Sequence, residues 1–216
     1  MRRRTWLAAG WVLLMGGVVA AEVVLYNVST DQPLVLDQNT NYVLQNVMIT
    51  GVADNAALTL TGRINSVSLR RCQVGKVRSG QSGRAVGVEA AGAMVGTFTA
   101  TDSLFFDCEN QLASLREGSF GRVTFERCTF QCSEQFLKEV YADNPWRDWP
   151  PVTEFHSIDT LELLDNRFVN TTVIIHPSVR KVIIRGEIPG LSIEDQNATQ
   201  VILLDPVQGK DALATR

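Results

Sequence analysis

The chain has 216 residues, 45% hydrophobic and 20% charged, with a formal charge of −3 and a pI near 5.4. That suffices for one domain with a sizeable core, and the mild acidity argues against nucleic acid or an anionic membrane as partner, because phosphate binding needs a positive field. Four cysteines with no C-x-x-C pair, and only two histidines, His156 and His176, offer no metal-ligand pattern and no cofactor motif.

In chain order the first element is Met1 to Ala21. It opens Met1-Arg2-Arg3-Arg4, runs uncharged from Trp6, and ends in the small residues Val19-Ala20-Ala21. A basic start, a short apolar core and an A-x-A-like exit describe a secretory signal. Its 16-residue apolar run is shorter than the roughly 20 of a spanning helix. The reading is a cleaved signal at 1–21 and one domain over 22–216. An uncleaved anchor, a twin-arginine signal through Arg3-Arg4 and a mitochondrial presequence are the alternatives. Cleavage removes three arginines and no acid, taking the charge from −3 to −6. The expected location is secreted, periplasmic or cell surface, with no membrane span left.

A motif then recurs seven times: apolar, two spacers, apolar, one spacer, apolar. Its clearest copies are Ile64-Val67-Leu69, Phe120-Val123-Phe125, Ile158-Leu161-Leu163 and Val179-Val182-Ile184; weaker ones are Leu44-Val47-Ile49, Val95-Phe98-Ala100 and Ala198-Val201-Leu203. A recurring motif marks a repeat architecture, in which each unit buries its apolar face against its neighbours. The middle residues form the column Val47, Val67, Phe98, Val123, Leu161, Val182, Val201. Two positions on, a second column holds Ile49, Leu69, Ala100, Phe125, Leu163, Ile184 and Leu203. Period-two alternation points both to the same face of a strand. Seven positions on, Val74, Phe105, Phe130 and Phe168 form a third column, and Cys72, Ser103, Cys128 and Asn166 occupy the turn between. Each unit therefore reads as strand, polar turn, strand, stacked at about 4.8 Å with like on like.

This pattern, best carried by Val123 to Cys132 and Leu161 to Asn170, resembles the right-handed parallel β-helix of the pectate-lyase-like superfamily. The resemblance spans about residues 40–205 and implies an all-β, single-stranded coil of about seven to eight rungs. The alternative is a leucine-rich-repeat solenoid, since Ile158 to Phe168 also fits L-x-x-L-x-L-x-x-N-x-L. Intervals of 19 to 38 residues without a recurring helical period favour the β-helix. Pectate lyases use clustered acids, calcium and an arginine base, and polygalacturonases carry N-T-D, D-D, G-H-G and R-I-K segments. None of these occurs here, so no catalytic residue carries over.

The register places Cys108 and Cys132 on adjacent rungs and predicts a disulfide between them, with Cys72 and Cys128 as buried thiols. It also lines up Arg71, Asp102, Arg127, Asp165 and Asp205 in an outward column of mixed sign. That column reads as a cross-rung salt-bridge ladder; the sharper reading pairs Asp102 with Asp165 as acid and base across Arg127.

Two insertions interrupt the rungs. Residues 75–96 hold six of the sixteen glycines with Lys76, Arg78 and Arg84, a flexible insertion or an anion-contacting loop. Residues 133–157 hold Tyr141, Trp146, Arg147, Asp148 and Trp149, in which rings can cover sugar faces while charged groups take hydroxyls; packing beneath the nearby prolines is the plainer reading. His156 reads as structural. Three sequons occur, at Asn27, Asn170 and Asn197. The functional expectation is a non-catalytic module that binds polysaccharide or an extracellular protein, or serves as a surface structural element, without cofactor or metal. The runner-up is a polysaccharide lyase or glycoside hydrolase.

Overall fold

The computed structural model describes residues 21–79, 84–141, 151–194 and 199–205, Tyr141 by its backbone alone. The order is β1 (Glu22–Tyr26), β2 (Ser29–Thr30), β3 (Leu34–Leu36), β4 (Asn41–Gln45), β5 (Met48–Thr50), β6 (Ala56–Arg70), β7 (Gln73–Val77), β8 (Val86–Thr101), β9 (Leu104–Cys108), β10 (Gln111–Glu126) and β11 (Thr129–Gln131). Then come the helix α1 (Glu134–Tyr141), β12 (Val152–Phe155), β13 (Ile158–Leu164), β14 (Arg167–Val169), β15 (Thr172–Ile175), β16 (Lys181–Arg185), β17 (Leu191–Ile193) and β18 (Gln200–Leu204). The fold is all-β and every strand pairing is parallel. Two sheets share the strands; the chain crosses from one to the other and back as far as β14, and β15 to β18 all join the larger sheet. The side opposite the first sheet is itself strand, in the order β14-β11-β9-β7-β5-β2; a leucine-rich repeat of the helical kind is not what the chain builds.

The apolar columns are the register of these sheets. Val67 pairs with Phe98, Phe98 with Val123, Val123 with Leu161, Leu161 with Val182 and Val182 with Val201. Leu69, Ala100, Phe125, Leu163, Ile184 and Leu203 stack likewise two positions on. Ile49, Val74, Phe105, Phe130 and Phe168 stack in the second sheet. The first motif copy is the exception. Tyr42 and Leu44, not Val47 and Ile49, pair with Val67 and Leu69. Val47 lies past the turn, and Ile49 belongs to β5.

One corner is a single residue in the left-handed region, repeated layer after layer: Asn27, Asn46, Arg71, Asp102, Arg127 and Asp165 at φ 51–54°, then Gly186 at 94°. Asparagine, aspartate and glycine tolerate this best; the two arginines carry the strain. The polar turn residues Ser103 and Asn166 close the corner by capping the preceding layer's backbone. Cys72 N–H donates to Ser103 Oγ at 3.1 Å and Cys128 N–H to Asn166 Oδ1 at 2.8 Å, while Asn166 Nδ2 donates to the Phe125 carbonyl at 2.8 Å.

Residues 75–96, expected to leave as a loop, instead hold the end of β7 and the first two thirds of β8. β6, β8 and β10 are 15 or 16 residues long, and their first halves build a further face in which Leu58 pairs with Val88 and Val88 with Ala113. That face runs on through β12, β15 and β17. Layers touch at the bend between the two halves: a Cβ on Gly96 would stand 2.5 Å from the Asn65 carbonyl oxygen, so only glycine fits. Residues 133–157 hold α1 and β12. Ser133 caps α1 by accepting from Phe136 N–H at 3.2 Å, and Phe136 is buried beneath it.

All four cysteines are free and buried, and the expected Cys108–Cys132 bond is not formed. Gln131 pairs with Phe106, so Cys132 falls opposite Asp107 rather than Cys108. Asp107 turns the chain at φ 50°, and the Cys108 thiol donates to its own strand's Phe106 carbonyl at 3.4 Å. Burial pushes all four thiols up, Cys128 and Cys132 to about 12. A thiol with a pKa near 12 is about one part in ten thousand thiolate at pH 8. Native protein is therefore expected to resist thiol reagents and to label at four sites once denatured, as read by intact mass.

Candidate functional site

The outward residues of the longer face form columns of their own. Val43, Ser68, Thr99, Thr124, Glu162, Ile183 and Ile202 stand in one line across seven strands, and Gln45, Arg70, Thr101, Glu126, Leu164, Arg185 and Leu204 in the next. Outward hydroxyls are ordinary on a strand. In parallel register they become a ladder, repeating at about 4.8 Å. At its N-terminal end Gln45, Ser68, Arg70, Arg71, Thr99, Thr101 and Asp102 line an open depression of about 430 Å³. Neither Arg70 nor Arg71 has an ion pair among the described residues. A second open groove, about 420 Å³, runs along the bend between Arg63, Asn65, Met94, Ser119, Ser157 and Asp159.

Further along, the charges are spent on one another. Arg127 grips Asp102 with Nε at 2.7 Å and Nη2 at 3.2 Å and also meets Glu126. Arg185 bonds Asp165 at 2.8 Å through Nε. Within the outward charge column only Asp102 and Arg127 form an ion pair among the described residues; Asp165 is held instead by Arg185 from the neighbouring line, so the expected cross-rung ladder forms in part. The Arg127 hydrogen bond holds the Asp102 carboxyl below its ordinary value, which suits a fixed anion and not a proton donor. Glu162, mostly buried, accepts from Arg122 Nε at 3.1 Å and from Thr124 at 2.7 Å; burial raises its carboxyl, but these bonds outweigh that and leave it lowered. No cluster of three or more metal-ligating side chains stands among the described residues.

The other sequence candidates fare differently. Trp146, Arg147, Asp148 and Trp149 lie outside the described residues, as does the side chain of Tyr141. Among the cations of 75–96, Arg78 pairs with Glu139 at 2.6 Å and lies 4.2 Å over the Phe136 ring, and Arg84 pairs with Glu89; they do not converge on one point. Asn170 Nδ2 bonds the Cys132 carbonyl at 2.9 Å, Asn27 is exposed, and Asn197 lies outside the described residues.

Sequence reasoning missed the pairing of the two histidines. His156 and His176 follow β12 and β15 on adjacent layers and stack with ring centroids 4.3 Å apart and planes within 19°. Glu194 faces His176 at 3.7 Å, and Ser178 Oγ contacts its Nδ1 at 2.9 Å. Burial lowers the His156 pKa, and His176 and Arg116 lower it further against the opposite pull of Glu194. A folded-state value below the unfolded one means that the unfolded chain binds more protons. The contribution is therefore complete above the ordinary histidine value near 6.5 and is lost as pH falls from there to the depressed folded value. Urea midpoints are expected to drop more between pH 8 and pH 5 in the wild type than in His156→Gln. The chain matches no known family, no curated protein and no solved structure.

Proposed function

We propose that the chain is a right-handed parallel β-helix of the pectate-lyase-like kind, exported through its N-terminal signal, and that it binds carbohydrate without turning it over. The binding surface is the outward hydroxyl ladder and the depression beside Arg70 and Arg71. The observation that carries this is the register itself: Ser68, Thr99 and Thr124 in one line, with Gln45, Arg70 and Thr101 in the next. A polymer lying across the strands meets a hydroxyl, amide or guanidinium donor again at each step. Shallow open grooves suit an extended chain better than a small molecule, which is ordinarily held in an enclosed pocket. Arg70 and Arg71, neither in an ion pair among the described residues, favour acidic saccharides, since a guanidinium fork takes a carboxylate or sulfate in bidentate fashion. The segment with Tyr141, Trp146, Arg147, Asp148 and Trp149 is the proposed second contact, because aromatic rings cover sugar faces.

Affinity electrophoresis in gels of acidic and neutral polysaccharides tests the reading. The wild type is expected to be retarded by an acidic polymer, Arg70→Ala/Arg71→Ala at least tenfold less, and Trp146→Ala/Trp149→Ala to a smaller extent. Calcium-dependent cleavage of a polyuronate would replace the binding reading with the lyase one, and equal migration in every gel would refute it.

A further inference from the structure

We propose that mature chains associate head to tail, with β1 of one copy adding in parallel to the open edge of β18 of the next. Among the described residues β18 pairs only with β16, and Val201, Leu203 and Leu204 are 38, 74 and 42% exposed. Val201 and Leu203 end the two inward columns, so among the described residues nothing covers that end of the core. Solvent-facing edge strands are ordinarily blunted by charge, proline or a bulge; Gln200–Leu204 carries neither charge nor proline. The opposite end of the same sheet path offers a matching edge. β1 is also five residues long, pairs only with β4 among the described residues, and leaves Val24 and Tyr26 51 and 58% exposed.

The register selects a second copy as the occupant. The column ending in Val201 begins with Val23, and the column ending in Leu203 begins with Leu25. On the outer face, the lines ending in Ile202 and Leu204 begin with Val24 and Tyr26. Seating β1 on β18 sets aliphatic on aliphatic inside, places Val24 on Ile202 and Tyr26 on Leu204 outside, and repeats the parallel pairing used throughout the molecule. The two edges are different surfaces, so the contact is heterologous and grows as an open chain rather than closing as a dimer. Segment 206–216 of the same chain is the competing occupant.

Sedimentation velocity of residues 22–216 over a range of concentrations decides the matter, with circular dichroism confirming that each variant is folded. The wild type is expected to form a ladder of species. Leu203→Lys blocks one end and Val24→Lys/Tyr26→Lys the other, so each alone is expected to weaken association at least tenfold. Mixed together, they are expected to give dimers and nothing larger, because each retains one free edge and the free edges are complementary. A wild type monomeric at every concentration overturns the proposal, whether or not a chain ending at residue 205 associates; if that shorter chain does, the tail is the occupant. Oligomers insensitive to both variants also overturn it.

Discussion

Phe130→Ala is expected to lose about 3–5 kcal/mol of stability, the range for deleting a fully buried aromatic ring. Phe130 stacks on Phe105 at 4.8 Å with planes within 16° and on Phe168 at 4.9 Å within 7°, and its edge meets Phe125 at 5.2 Å. Residue and neighbours are held by strand pairing from outside, so the cavity cannot collapse by sliding one ring. Phe130→Leu keeps most of the volume and is expected to lose less than half as much. Urea unfolding with a common slope measures both; equal, small losses would mean that the ladder is not packed as described.

Gly75→Val is expected to destabilise by about 3 kcal/mol or more, the upper end of overpacking costs. A Cβ at Gly75 would stand 2.0 Å from the Phe106 carbonyl oxygen, an atom held in the β7–β9 pairing. No rotamer relieves a backbone clash, so β7 must move off β9. Gly92→Ala is the control. Gly92 has φ 69° and nothing within 4 Å of a built Cβ, so only the left-handed penalty of about 1–2 kcal/mol applies. If the two substitutions cost the same, close layer-to-layer approach at Gly75 is wrong.

The inward columns were legible because parallel stacking forces like onto like: once Val67, Phe98, Val123, Leu161 and Val182 are aligned, the same offsets recover Leu69 to Ile184 and Val74 to Phe168. The first copy misled because Leu44, Val47 and Ile49 reproduce the spacing across a turn. Asn46 at φ 53° shifts the phase between two short strands, and three apolar residues are too few to reveal it. The face built from the first halves of β6, β8 and β10 was hidden for a different reason. Its interior around Ala90, Ala93 and Ala113 is small, and with Gly87, Gly92 and Gly96 nearby it has the composition of a loop. Of the candidate site, the alternating charges from Arg71 to Asp165 could be read from sequence. The Ser68, Thr99, Thr124 ladder could not, since single outward hydroxyls carry no signal until register sets them in line. The histidine stack was equally invisible, because 20 residues separate two rings that only layer-on-layer pairing brings together.

The whole account rests on parallel, in-register layers, and distances along one outward line measure that directly. Spin labels on cysteines placed at Val43 and, in turn, Thr124, Ile183 and Ile202 span three, five and six strand spacings. Backbone separations of about 14, 24 and 29 Å are expected, rising by about 4.8 Å per strand, with the buried native thiols left unlabelled. Distances that fail to rise in that order, or an Ile183 pair lying nearer than the Thr124 pair, would contradict the stacked arrangement.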